Sequence, residues 1–232
     1  MQSPVGYAEQ IINDKYNIER SLAGAGDTVI LPENLLTRDN LSVWTWLVSK
    51  GISNALSGLS QMIGEEIIVS SIDMKWLPAK RVVDTLGGPE NTIVGIYLSI
   101  EGDATGHLLL LYDTNIAFQL IDMQLGLPKG STREMDEMEY SVLGEMGNIT
   151  GSYFLNALAD TTSMVLMPSP PSVLVDMVGA VINVPLTFIM EENDNALVVK
   201  ANFRVNDSDL DGTFMVLPTM SFVSTLLNNP KY

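Results

Sequence analysis

The order of secondary-structure elements expected along this chain occurs twice, and this repeat constrains the fold more than any other feature of the sequence. Placing residues 42–59 on residues 141–158 aligns serine with serine, valine with valine and leucine with leucine. Further on, the apolar stretch that follows Gly106 matches the one that follows Gly212. Each half reads as a long helix, strands, a strand–turn–strand unit and a short helix. We therefore expect an α+β domain with a pseudo-two-fold repeat, in which two long helices pack on one largely antiparallel β-sheet.

The repeat also gives the expected organisation of the chain. Residues 1–36 lie outside it and read as an N-terminal extension. Residues 37–232 read as a single domain, with one half at residues 37–128 and the other at residues 133–228. Within the second half, the apolar run at residues 185–190 is expected to form a strand. Acidic residues precede and begin the central helix, where they suit the positive end of its dipole.

The balance of charge and of reactive residues excludes several classes of function. The chain has 12 Lys+Arg against 28 Asp+Glu, which gives a formal net charge of −16. We therefore do not expect nonspecific binding to nucleic acid or to an anionic membrane. It contains no cysteine, which excludes thiolate chemistry, and its one histidine, His107, excludes a histidine-rich metal site. No basic leader begins the chain and no apolar run approaches the ~18 residues that suggest a spanning helix, so we expect a cytoplasmic protein.

The residues that carry chemistry share one face of the central helix. Ser141, Glu145 and Asn148 are spaced by four and then three residues, so a helix presents them side by side. A carboxylate and a carboxamide held together on a rigid helix can place polar groups into the pocket of a partner. Taken singly, Glu145 and Asn148 would be ordinary surface residues. Ser141 is expected to cap or buttress the helix, and Pro171 to shape the loop that follows it.

The first half of the repeat lacks this polar face. Where the second half has Glu145 and Asn148, the first has Trp46 and Ser49, and an isoleucine occupies the position that corresponds to Pro171. A tryptophan cannot replace a carboxylate in an ion pair. We therefore expect one site per chain, with Trp46 exposed and inert in hydrolysis.

The spacing of the polar residues resembles a known family pattern: Asp or Ser, three residues, Glu, two residues, Asn, twenty-two residues, Pro. This chain has that pattern without a gap, from Ser141 through Glu145 and Asn148 to Pro171. Neighbouring segments such as Gly-Glu-Met-Gly-Asn-Ile and Ile-Glu-Gly-Asp-Ala-Thr-Gly-His also look like the family. Residues 38–228 thus resemble the CheC/CheX/FliY family of chemotaxis response-regulator phosphatases, and CheC in particular.

The resemblance implies hydrolysis of the phospho-aspartate of CheY, a diffusible response regulator. Asn148 would position the attacking water and Glu145 would dock to a lysine of the regulator. Ser141 and Pro171 would support them. The resemblance implies no cofactor and no metal of the chain's own, because the regulator carries the Mg²⁺.

Two other interpretations stay open. CheC proteins also bind CheD, a receptor-modifying deamidase, and the resemblance places Asp176 in that surface. The chain could then be an adaptor with weak hydrolysis or none. The third interpretation is a partner in the flagellar switch, to which the family is related.

Overall fold

The computed structural model describes residues 38–206 and 210–228, so the extension expected over residues 1–36 lies outside the described part of the chain. The helices are α1 Arg38–Ile63, α2 Thr114–Leu125, α3 Glu137–Thr162, α4 Val178–Glu192 and α5 Met220–Asn228. The strands are β1 Ile67–Pro78, β2 Thr92–Gly102, β3 Gly106–Asp113, β4 Leu166–Pro168, β5 Ser172–Met177, β6 Asn195–Val205 and β7 Asp211–Pro218. Two short 3-10 helices, Ala79–Arg81 and Val83–Leu86, follow β1.

The strands form one sheet in which all the described pairs are antiparallel. Its order is β1-β6-β7-β3-β2, and β4 and β5 both pair with β2, along different parts of that strand. The α+β class and the antiparallel sheet are therefore confirmed. The order β1-β6-β7 beside β3-β2-β5 is compatible with two equivalent halves, and the pseudo-two-fold relation itself stays a prediction.

The two faces of the sheet carry separate apolar clusters. The larger cluster lies beneath α1 and α3 and includes Trp44, Met146 and Phe154, all with no exposed area. α1 and α3 run antiparallel, because Lys50 contacts Thr161 while positions further along α1 approach earlier residues of α3. The smaller cluster lies on the opposite face, beneath α4 and the two 3-10 helices. The sheet thus separates the surface of α3 from that of α4.

Residues 185–190 belong to α4, so the prediction of a strand there was wrong. The buried residues of α4 recur at helical spacing: Val178, Val181, Ile182, Pro185, Leu186 and Ile189. Val184 and Phe188 are exposed between them, and they conceal the period because they make the stretch apolar on every side. Pro185 lies on the buried side of the helix, where it removes one backbone hydrogen bond.

A buried carboxylate organises the connection from α2 to α3. Asp122 accepts backbone N–H groups from Gly130 at 2.7 Å, Ser131 at 3.1 Å and Thr132 at 2.8 Å. Burial acts to raise the pKa of Asp122, but the hydrogen bonds from Thr132, Gly130 and Ser131 outweigh it and hold the pKa below its ordinary value. The ionised carboxylate therefore fixes the loop that delivers the chain to the start of α3.

Candidate active site

The first turn of α3 is stabilised by acidic side chains, as its sequence predicts. Asp136 and Glu139 form a capping box, in which the Asp136 backbone N–H donates to Glu139 Oε2 at 3.1 Å. Glu137 adds a further carboxylate in the first turn, where the helix dipole favours negative charge. The start of α3 is therefore well defined, and with it the direction in which each later side chain points.

Ser141, Glu145 and Asn148 are exposed together on the outer face of α3. The Ser141 hydroxyl donates to the backbone carbonyl of Glu137, one turn earlier in the same helix, at 2.8 Å. In the described part of the chain, the Glu145 carboxylate and the Asn148 amide make no hydrogen bond or ion pair. Their donors and acceptors therefore remain available to a partner.

Pro171 lies against the turns of α3 that carry these two side chains. A Cβ built on Gly144 would lie 3.8 Å from Pro171 Cγ, and one built on Gly147 would lie 3.3 Å from Pro171 Cβ. These glycines directly precede Glu145 and Asn148 in the sequence. The half-buried Pro171, just before β5, therefore supports the flank of the site rather than only shaping a loop.

The glycines of α3 are the contribution that sequence reasoning missed. A Cβ on Gly147 would lie 2.4 Å from Ile96 Cγ2, and one on Gly151 would lie 3.1 Å from Leu98 Cδ2, so α3 approaches β2 very closely. A glycine inside a helix costs about 0.5–1 kcal/mol relative to alanine. Glycines that recur at helical spacing are the sequence feature from which this close approach could have been predicted.

The face of α1 that the sequence alignment places on the polar face of α3 contains a lysine, Lys50. Lys50 Nζ donates to Thr161 Oγ1 of α3 at 3.0 Å and lies 5.5 Å from the centre of the Trp46 ring. Ser49 Oγ is buried and has no hydrogen-bond partner among the described residues. Trp46 is half-buried against the larger cluster, so its expected exposure was wrong, because burying the indole's large apolar area on that core is favourable.

His107 lies on the other side of the sheet from α3. It is buried in β3, where its Nδ1 is 2.9 Å from the hydroxyl of Tyr97, and its ring stacks on Phe188 of α4 with centroids 5.5 Å apart. Burial lowers the pKa of His107 to about 4. The imidazole is therefore neutral near pH 7 and cannot reach Glu145 or Asn148.

Asp176 is also separated from the α3 face. It is exposed on β5, opposite Ile93 of β2, and Ile93 packs in the smaller cluster beneath α4. Directly opposed residues of two strands share a face of the sheet, so Asp176 faces away from α3. Its Oδ1 accepts the backbone N–H of Met177 at 2.7 Å. The structure thus brings together Ser141, Glu145, Asn148 and Pro171 and excludes Asp176 from that group.

The described residues were also searched for metal-binding clusters and for membrane-spanning helices. In residues 38–206 and 210–228, no group of three or more His, Asp or Glu side chains is arranged to hold a metal ion. No helix in these residues is long and apolar enough to cross a bilayer. The expectations of a cytoplasmic protein with no metal of its own stay predictions.

Comparison of the sequence with family models and with known proteins gives the same family in both cases. A model of the CheC-like family matches residues 138–175, the segment that holds the exposed polar face and Pro171. The CheY-P phosphatase CheC of Bacillus subtilis (strain 168) is 31% identical over 172 residues, which span 72% of this chain and 82% of that protein.

Two crystal structures share the fold. Thermotoga maritima FliY superposes with a TM-score of 0.67 at 18% identity, covering 84% of this chain and 96% of FliY. A chain of the FliG–FliM complex from H. pylori superposes with a TM-score of 0.57 at 16% identity, covering 84% of this chain and all of that one. Since the relative from Bacillus is 31% identical over most of both chains, this chain belongs to the CheC-like family.

Proposed function

We propose that this protein hydrolyses the phospho-aspartate of a CheY-like chemotaxis response regulator. The observation that carries the proposal is the pair Glu145 and Asn148, exposed side by side on α3 with no partner among the described residues. The relationship to a protein named as a CheY-P phosphatase supports this class of substrate.

In this proposal Asn148 positions the attacking water. An acyl phosphate is already reactive, and its hydrolysis needs a water held in line with the bond that breaks. The carboxamide donates through nitrogen and accepts through oxygen, so it can hold such a water by two hydrogen bonds. The water oxygen attacks phosphorus and the bond from phosphorus to the aspartate oxygen breaks, which yields a free carboxylate, inorganic phosphate and one proton. Positioning of this kind can lower the activation free energy of hydrolysis by several kcal/mol.

Glu145 supplies the docking contact. A carboxylate one turn before Asn148 can pair with a lysine beside the regulator's phosphorylated aspartate. A charge-assisted hydrogen bond of this type fixes the position of α3 relative to the regulator. The Mg²⁺ belongs to the regulator, and Ser141 and Pro171 act by holding α3 in place.

The experiment follows the loss of label from a radiolabelled phospho-regulator. Wild type is expected to accelerate the loss, and Asn148→Ala to reduce the acceleration by about 100-fold. Glu145→Ala is expected to reduce it through weaker docking. Asn156→Ala is the matched control, because it removes an exposed carboxamide from another part of α3, and it should behave as wild type. The proposal fails if wild type does not accelerate the loss, or if Glu145→Ala and Asn148→Ala both retain full acceleration.

A second candidate function is that of an adaptor which binds the CheD deamidase or a flagellar-switch partner. The observation that favours it is an exposed surface on the far side of the sheet, where Asp176 lies on the edge strand β5 and the adjoining helix α4 exposes Val184 and Phe188. Exposed apolar side chains on the surface that also carries Asp176 are a feature of protein-binding surfaces.

Capture of CheD from solution tests this candidate. Wild type is expected to capture CheD, Asp176→Lys to lose capture while keeping hydrolysis, and Asp160→Lys, which places the same charge change on exposed α3, to keep both. Absence of capture by wild type would contradict a role with CheD.

A further inference from the structure

A cavity of about 300 Å³ lies at the end of the sheet where α4 begins. The first residue of α4, Val178, lines it, as do residues of the 3-10 helix before β2 and of strands β2, β3, β6 and β7. A volume of this size is at the lower end of pockets that bind small molecules. The cavity lies on the α4 side of the sheet, so it is separate from the exposed polar face of α3.

The floor of the cavity carries a partly buried cation. Lys200 of β6 is half-buried, and its Nζ donates to the backbone carbonyl of Thr85 at 3.0 Å. Desolvation lowers the pKa of Lys200, Asp73 on the neighbouring strand opposes the shift, and Lys75 on that strand adds to it. Among the described residues no carboxylate lies within 4.0 Å of this ammonium. An ammonium has three donors, so Lys200 can offer hydrogen bonds to an anionic group inside the cavity.

The walls and the mouth of the cavity have different chemistry. Ile93, Leu111 and Val178 supply buried apolar walls. Asp113 at the end of β3 and Asp211 at the start of β7 line the cavity with exposed carboxylates. These two carboxylates would repel a simple anion, and Lys200 would repel a simple cation. A molecule that carries both charges and an apolar body matches all three parts.

We propose that this cavity binds a small zwitterion of the amino-acid class. Its carboxylate pairs with Lys200, its ammonium lies near Asp113 and Asp211, and its apolar side chain packs on the walls formed by Ile93 and Leu111. The inference does not depend on the proposed phosphatase activity, because no residue of the cavity belongs to the α3 face.

Titration of the isotope-labelled full chain with L-leucine, followed by backbone amide chemical shifts, tests the proposal. The amides of Gly87 and Gly212, both in the cavity lining, are expected to shift with half-saturation at about 1 mM, a weak but specific affinity. N-acetyl-L-leucine lacks the cation and L-leucinamide lacks the anion. Each is expected to bind at least about tenfold more weakly than L-leucine.

Variants of the floor lysine show whether that cation is the anchor. Lys200→Met is expected to weaken L-leucine binding at least about tenfold, and Lys200→Arg, which keeps the charge, to retain most of it. Lys129→Met is the matched control, since Lys129 is an exposed lysine in the loop before α3 that does not line the cavity. If Lys200→Met fails to fold, the three ligands compared on wild type still decide the outcome. The proposal is overturned if L-leucine shifts no amide of the cavity lining, if Lys200→Met binds it as wild type does, or if either single-charge analogue binds equally well.

Discussion

The change Gly147→Ala tests whether the close approach of α3 to the sheet places the Asn148 amide. The added methyl group would lie 2.4 Å from Ile96 Cγ2 and 3.3 Å from Pro171 Cβ. Carbon atoms in contact rest about 3.5–4.0 Å apart, so relief of the overlap requires a movement of about 1 Å. Ile96 is fully buried and has little room to move, so α3 must retreat from β2. Asn148 is the next residue and is expected to move with the helix.

This movement should lower both the free energy of unfolding and the rate of hydrolysis. Overpacking of a core costs about 1–3 kcal/mol, and the higher helix propensity of alanine returns about 0.5–1 kcal/mol. The free energy of unfolding of Gly147→Ala is therefore expected to fall by up to about 2.5 kcal/mol. A catalytic group misplaced by about 1 Å can lose about 100-fold in rate, so the loss of hydrolysis should be much larger than the loss of stability suggests.

Gly144→Ala provides the matched control on the same helix. Its added methyl group would meet only Pro171 Cγ, at 3.8 Å, which is an ordinary contact. This variant is expected to be as stable as wild type or up to about 1 kcal/mol more stable, and to retain hydrolysis. Urea titration and single-turnover loss of label from the phospho-regulator give the two quantities. The reasoning is refuted if Gly147→Ala hydrolyses at the wild-type rate, or if the two variants are indistinguishable.

Three further predictions follow from other contacts. Trp46→Glu combined with Ser49→Asn should leave the rate of label loss at the wild-type value, because position 46 is half-buried and the nearby Lys50 ammonium would pair with the new carboxylate. Asp122→Asn should lower the free energy of unfolding by about 1–3 kcal/mol in urea titrations at pH 7. In this variant, stability should also decrease less than in wild type as the pH is lowered. The pKa of folded Asp122 lies below the unfolded value of about 3.9, so its contribution is complete above that value and is lost as the pH falls through the folded pKa. The pKa of folded His107 is about 4, below its unfolded value of about 6.5, so wild-type stability should fall by up to about 3 kcal/mol as the pH drops from about 6.5 to 4. Urea titrations of His107→Asn should lack this change.

Much of the fold could be predicted where local sequence is decisive. The end of α2 can be predicted from local sequence, because Gly126 ends the helix with a left-handed backbone at φ 65°. Gly64 ends α1 in the same manner, at φ 74°. α4 was missed because its exposed apolar residues conceal the helical period, and only the packing of one side on the sheet distinguishes that side from the other.

The site could be predicted in part for the same reason. The spacing of Glu145 and Asn148 within one helix defines a common face without any knowledge of the tertiary structure. The contact of Lys50 with Thr161 joins residues 111 positions apart, so no local pattern indicated that Trp46 would be covered. The glycines of α3 indicate that this helix closely approaches a neighbour, but only the assembled sheet shows that the neighbour is β2.

Saturation kinetics of hydrolysis test most directly whether Asn148 positions the attacking water. For Asn148→Ala we expect an unchanged KM for the phospho-regulator and a kcat reduced about 100-fold, because the carboxamide acts on the water and not on docking. For Glu145→Ala we expect a raised KM, since its carboxylate docks to the regulator's lysine. A wild-type kcat for Asn148→Ala at saturating phospho-regulator would contradict the assignment of the water to Asn148.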